Sequence, residues 1–227
     1  MNQAAQLSRR ALWLVSLCLL PGTLIAQRDV YVGALGGLAT LSGDGRAVVT
    51  STSASTSLYD PDTGAAASLF GGIHLFNYVS VQGNYIWNRN DLTLVSSLSD
   101  PAAFSFYQAP ASCTQNAFVG DVLVYFRERG SRVRPYVSQG VGFVHIGVRP
   151  HGNTLYRGIL SLPGASTSTS LMSRTAVGMD VRLRPGWFFR YTFGENISRN
   201  AISAQLSPSG QRLLKNFQNF WGIYKTF

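Results

Sequence analysis

Lysine is nearly missing from this chain of 227 residues: Lys215 and Lys225 are its only two, and arginine supplies the rest of the basic charge. Charged residues of every kind make up only 13%, about half the usual share. That scarcity excludes a disordered tail and does not match the surface of an ordinary soluble enzyme. Long apolar stretches are also wanting, and with a mean hydropathy of +0.08 the chain is no helical membrane protein. Cysteine occurs twice, as Cys18 and Cys113, and histidine three times, as His74, His145 and His151. None of these is spaced as metal ligands are, so neither a metal nor another cofactor is expected. The formal charge of +9 raises nucleic acid as a partner, but the arginines are scattered, with no basic run and no aromatic-interleaved motif. Nucleic-acid binding is therefore not expected. What the chain does have is 23 glycines and 12% aromatics. That mixture suits strands that turn every second side chain toward lipid.

Residues 1–26 read as a targeting segment. Arg9 and Arg10 precede the short apolar run Ala11 to Leu20, Pro21-Gly22 break it, and Thr23-Leu24-Ile25-Ala26 offers small residues for cleavage after Ala26. The run falls well short of the ~20 residues that span a bilayer as a helix. Removing the segment takes Cys18, so Cys113 is left alone and no internal disulfide is possible.

From residue 27 to 227 the chain repeats one phrase, an alternating segment followed by a connection. The segments are Asp29 to Leu41, Ala66 to Phe76, Tyr78 to Asn88, Asn116 to Arg127, Arg134 to Val148, Thr169 to Arg184, Trp187 to Asn196 and Arg212 to Phe227. Short turns at Asn77, Glu128–Ser131 and Pro185-Gly186 alternate with long connections, notably the polar stretches Ser42–Gly64 and Arg89–Gln115. Every proline after the targeting segment, Pro110 included, is assigned to a loop, a turn or a strand start, as ladder bonding requires. The reading is an eight-stranded antiparallel meander with its long loops at one end.

In several segments one alternating row is apolar and the other mixed. Val79, Val81, Tyr85 and Trp87 oppose Ser80, Gln82 and Asn84; Val122, Val124 and Phe126 oppose Asp121 and Arg127. Val177, Met179 and Val181 oppose Arg174, Asp180 and Arg182, and Trp187, Phe189 and Tyr191 oppose Arg190 and Thr192. A soluble barrel or sandwich would alternate in the same way, with the apolar row inside. Three features favour the inverted arrangement: the export signal, the shortage of Lys and Glu in the mixed rows, and large aromatics at segment ends. Tyr85, Trp87, Phe126, Trp187, Trp221 and Phe227 would then form interfacial girdles. Asp121 and Asp180 would accept from Arg174, Arg182 and Arg190 in a polar plug, with Gln82, Asn84, Gln139, His74 and His145 also pointing inward. The phase of the fifth segment, apolar on both rows, is a guess.

Short motifs add a resemblance. Asp29-Val30-Tyr31-Val32-Gly33-Ala34-Leu35-Gly36-Gly37 is similar to the first strand of OmpA-like and opacity-type eight-stranded outer-membrane proteins. Phe70 to Tyr85 resembles their second hairpin, and Arg134-Pro135-Tyr136-Val137 with Gly140-Val141-Gly142 their fifth strand. Phe227, with Gly222, Trp221 and Tyr224, resembles the signal read by the barrel-assembly machinery, departing from it at Lys225. The resemblance implies an eight-stranded transmembrane barrel in the outer membrane, in contact with membrane lipid and lipopolysaccharide. It does not imply an activity, and no peptidoglycan-binding domain is expected after the barrel. A structural or adhesin-like role through four outer loops is the reading adopted, with a surface ligand the sequence does not name. A narrow channel for small or hydrophobic solutes is the alternative. A lipid A-modifying enzyme comes third, since no His-x-Ser pair of the deacylase kind is present.

Overall fold

The structure, a computed structural model, describes residues 30–100 and 103–227. The targeting segment expected at 1–26 lies outside the described residues. The described residues form eleven strands: β1 (Val30–Leu41), β2 (Asp44–Val49), β3 (Ala54–Pro61), β4 (Gly64–His74), β5 (Val79–Asp100), β6 (Ala103–Tyr125), β7 (Val133–Pro150), β8 (Leu155–Arg157), β9 (Ser166–Arg184), β10 (Trp187–Arg199) and β11 (Leu213–Thr226). Eight of them close a ring of antiparallel pairs in the order β1-β4-β5-β6-β7-β9-β10-β11, with β11 returning to β1. Six wall strands meet at short turns on one side, β4 with β5, β6 with β7 and β9 with β10; Gly186, at a φ of 73°, makes the tight turn between β9 and β10.

The register fixes the shape of the ring. Stepping across hydrogen-bonded neighbours from Tyr31 leads through Gly72, Gln82, Asp121, Gly140, Arg174, Asn196 and Asn216, and returns to β1 at Leu41. The path gains ten residues in one circuit, so eight strands carry a shear of ten and tilt by about 40° to the axis. Such a ring is just wide enough for its own side chains to fill. Every residue on that circuit points inward, and it passes through Asp121 and Arg174, two of the five charged residues buried within the wall with Arg134, Asp180 and Arg190.

The two faces are inverted relative to a soluble protein. Val81, Leu69, Phe118 and Leu171 are exposed on the outer surface and Val141 is 70% exposed there, whereas Asp121, Arg190 and Asp180 are buried inside, Asp180 at 0%. An apolar exterior this extensive is stable only against hydrocarbon. Among the described residues no helix is long and apolar enough to cross a membrane.

Three features differ from the sequence expectations. The connections Ser42–Gly64 and Arg89–Gln115 are not solvated loops: β2 and β3 pair as a hairpin, β3 pairs with β5, and β5 and β6 stay in register from Val79↔Val124 to Asp100↔Ala103. Cys113 is accordingly an inward, buried strand residue. Pro110 lies inside β6, opposite Thr93. Its carbonyl faces away from β5 and accepts from the His151 N–H at 2.9 Å. Its missing N–H would have pointed the same way, so the β5 ladder loses nothing. Finally, Gln139 and His145 on β7 face outward, bonded to Thr175 (2.7 Å) and Thr169 (2.9 Å) on β9. Cross-strand hydroxyls satisfy them there, which an all-apolar alternation could not reveal.

Candidate functional site

The inward face is organised in layers. Nearest the short turns, Arg190 on β10 lies directly across from Asp180 on β9 and meets it with two prongs, Nε to Oδ1 at 2.6 Å and Nη2 to Oδ2 at 2.8 Å. Its Nη1 donates to Gln82 Oε1 at 2.5 Å and Nη2 also to the Tyr125 hydroxyl at 3.0 Å. The hydroxyls of Tyr125 and Tyr224 both donate to Asp180 Oδ2, at 3.0 and 2.9 Å. The rings of Phe70 and Tyr224 lie 4.9 and 4.7 Å from the guanidinium carbon. A buried pair survives its desolvation cost only when its remaining donors and acceptors are occupied. Here they are occupied by neighbours from three different strands, β5, β6 and β11.

One step higher, Arg174 Nη1 meets Asp121 Oδ2 at 2.5 Å, and Asn84 donates to the same oxygen at 2.8 Å. Gln82 links the two pairs, donating to Asn84 Oδ1 at 2.6 Å while accepting from Arg190. Gly140 leaves the room this requires, since a Cβ there would lie 1.8 Å from Asp121 Oδ1. Above comes an amide layer: Asn216 donates to Gln115 at 2.8 Å and to Asn88 at 3.2 Å, and Asn88 donates to Asn90 at 3.0 Å.

The outer mouth is closed by protein. Between β10 and β11 the chain folds back over the opening, and Ile202 and Leu206 are buried in an apolar cluster with Tyr59, Leu92, Leu94 and Tyr107. Asn200 donates to the Tyr59 hydroxyl at 3.0 Å, Ser57 to the Pro208 carbonyl and Ser96 to the Ser207 carbonyl, each at 2.5 Å. Burial pushes the Tyr59 phenol up to about 12.

The expected site residues are thus distributed unevenly. Asp121, Arg174, Asp180 and Arg190 come together. Arg182 does not join them: it pairs with Phe188 at the turn end of the β9–β10 ladder, beside the register shift before Trp187, and donates to the Arg129 carbonyl at 2.7 Å. Phe126 and Trp187 stand on the outer face at the short-turn end, and Tyr85 and Trp87 where that face turns polar toward Arg89. Trp221 sits mid-strand, paired with Gly36 and Tyr191, and so lies inside the apolar band and not at its border. Gly222 and Tyr224 face the lumen, Tyr224 stacked on Phe188 at 4.9 Å, while Phe227 is exposed. The aromatic shell of Arg190 and the buried Arg134, whose guanidinium lies 3.8 Å from the Tyr125 ring centre, were missed by the sequence reading. The inward phase of Tyr125 and Tyr136 was the available signal.

No hydrolytic constellation is evident among the described residues. His74 Nδ1 and Ser80 Oγ are 2.5 Å apart, but both are buried and Ser80 is 0% exposed, out of reach of a substrate. No group of three or more His, Cys, Asp or Glu among the described residues could hold a metal ion.

Comparison with known proteins accords with this geometry. The model of the outer membrane protein beta-barrel domain family matches residues 11–214. Curated protein sequences give no match. Among solved structures, Neisserial surface protein A aligns with a TM-score of 0.50 at 13% identity, covering 87% of this chain and 97% of its own. Ail of Yersinia pestis (TM-score 0.46, 10% identity, 88% and 99% covered) and OprG of Pseudomonas aeruginosa (0.46, 11%, 88% and 95%) also align. A closed ring of eight strands, a polar inside and an apolar outside agree with the family match: the chain belongs to the outer membrane β-barrel domain family, and its place is the cell outer membrane.

Proposed function

We propose that this protein is a non-enzymatic membrane anchor that holds a folded platform outside the cell, in a structural or adhesin-like role. The observation that carries the reading is the contrast between the two ends of the wall. The lumen is filled from the Arg190–Asp180 pair up to the apolar seal around Ile202, which leaves little room for a solute path. Beyond the band, β2, β3, β5, β6 and β8 continue as a sheet with no counterpart in the short turns. Residues invested in ordered structure outside the membrane support display more than conduction.

Two measurements test this. Refolded protein in a planar bilayer is expected to give no steady current; lasting conductance on the nanosiemens scale of wide porins, an external yardstick of roughly that order, would refute the plugged anchor. Cells displaying the whole protein should adhere to host surfaces or extracellular matrix better than cells displaying a variant with residues 92–111 replaced by a short turn. Equal adhesion with equal surface expression would remove the display role.

A further inference from the structure

Where β9, β10 and β11 leave the apolar band, their outer faces and the folded-back chain between β10 and β11 frame a cleft of about 800 Å³. Its lining is divided by chemistry. Leu171, Ile197 and Leu213 give an apolar floor, and Arg199 and Arg212 stand beside it, Arg199 directly across the ladder from Leu213. No carboxylate lines the cleft. Glu195 is paired with Lys215 at 3.3 Å, and Asp44, behind the lining, accepts at Oδ2 from the N–H of the lining residue Gln211 at 2.5 Å. Ion pairs among the described residues involve neither arginine.

Two guanidiniums without counter-charge, set above an apolar floor at the membrane border, complement an amphiphile with an anionic head. A free anion would leave the floor unused, and an uncharged lipid would leave the arginines unanswered. Guanidinium forks match phosphate oxygens in geometry as well as charge. Below the cleft the Phe193 and Phe217 rings stack at 6.5 Å, continuing the apolar surface down the wall. We propose that this cleft seats a phosphorylated glycolipid of the outer leaflet, the lipid A part of lipopolysaccharide, with a phosphate on Arg199 and Arg212 and an acyl chain over Leu171, Ile197 and Leu213. The inference is independent of the anchor role, since a channel could hold the same lipid.

The test is a titration of refolded protein in uncharged detergent micelles with lipid A, with dephosphorylated lipid A and with inorganic phosphate, read by native mass spectrometry. Lipid A is expected to bind most tightly. The double variant R199A/R212A should weaken it about 25-fold, the equivalent of ~1 kcal/mol per charge. R199K/R212K, which keeps the charge and loses the fork, should fall between the parent and R199A/R212A, and K225A, at the opposite rim, should match the parent. Dephosphorylated lipid A should bind parent and double variant alike. Unchanged lipid A affinity in R199A/R212A, with barrel circular dichroism intact, would overturn the proposal. Inorganic phosphate binding as tightly as lipid A would overturn it too, leaving a site for the free anion only.

Discussion

Replacing Asp180 with alanine is the most informative single perturbation of the lumen. The substitution removes the acceptor of two Arg190 bonds, at 2.6 and 2.8 Å, and of the hydroxyl bonds from Tyr125 and Tyr224 at 3.0 and 2.9 Å. Arg190 is 1% exposed and enclosed by rings, so its charge has nowhere to go. Breaking a buried pair in this way costs about 3–5 kcal/mol, mostly because one charge is left alone. Removing Arg190 as well takes away that charge. The double variant D180A/R190M should therefore lie near either single variant, and far from their sum, giving a coupling of at least ~2 kcal/mol. Urea unfolding in lipid vesicles, followed by tryptophan fluorescence, measures all three. A cost below ~1 kcal/mol for D180A, or strictly additive costs, would show that water or a neighbour replaces the carboxylate and that the network does not hold the lumen shut.

Glycines on the two faces should behave oppositely: Gly140→Ala drives a Cβ into Asp121 and should cost ~1–3 kcal/mol, whereas Gly120→Ala, with open space outside, should stay within about 0.5 kcal/mol on the same urea curves. Ile202→Ala removes a fully buried side chain from the outer seal at a cost of ~2–4 kcal/mol, and should expose residues 200–212 to protease while the wall stays protected; simultaneous loss of both would refute a separable seal. Tyr59 supplies the pH dependence. Its phenol is raised from 10.0 to about 12 by burial, so the seal keeps this contribution below pH 10 and loses it as pH rises toward 12. Proteolysis of 200–212 should accelerate across that window in the parent and much less in Tyr59→Phe; identical profiles would place the loss elsewhere.

The legible parts of the fold were those where one alternating row is polar. Arg174, Asp180 and Arg190 fall on one row of β9 and β10, and the ring places them inside with Asp121. β7 gave no such contrast, which is why Gln139 and His145 were turned the wrong way; a lone polar residue says nothing of its face when the partner that satisfies it, Thr175 or Thr169, lies on another strand. The outer extension of β5 and β6 was read as loop from its serines and threonines, although Leu92, Leu94, Tyr107 and Ala109 keep the period of two on the buried side. The seal was illegible in principle. Ile202 and Leu206 sit in an aperiodic stretch, and what buries them is the far-off β2–β3 hairpin region and β5, a long-range contact with no local trace.

The continuous pairing of β5 with β6 also sets a height. From Arg89, near the border, to Asp100 the ladder climbs roughly 30 Å at ~3.3 Å per residue along a tilted wall. A tip carried on a ladder cannot retract by coiling as a flexible loop would. Whatever reaches it must do so beyond the inner sugars of the surrounding glycolipid, and a cell that lengthens its surface polysaccharide would mask this protein by stature alone.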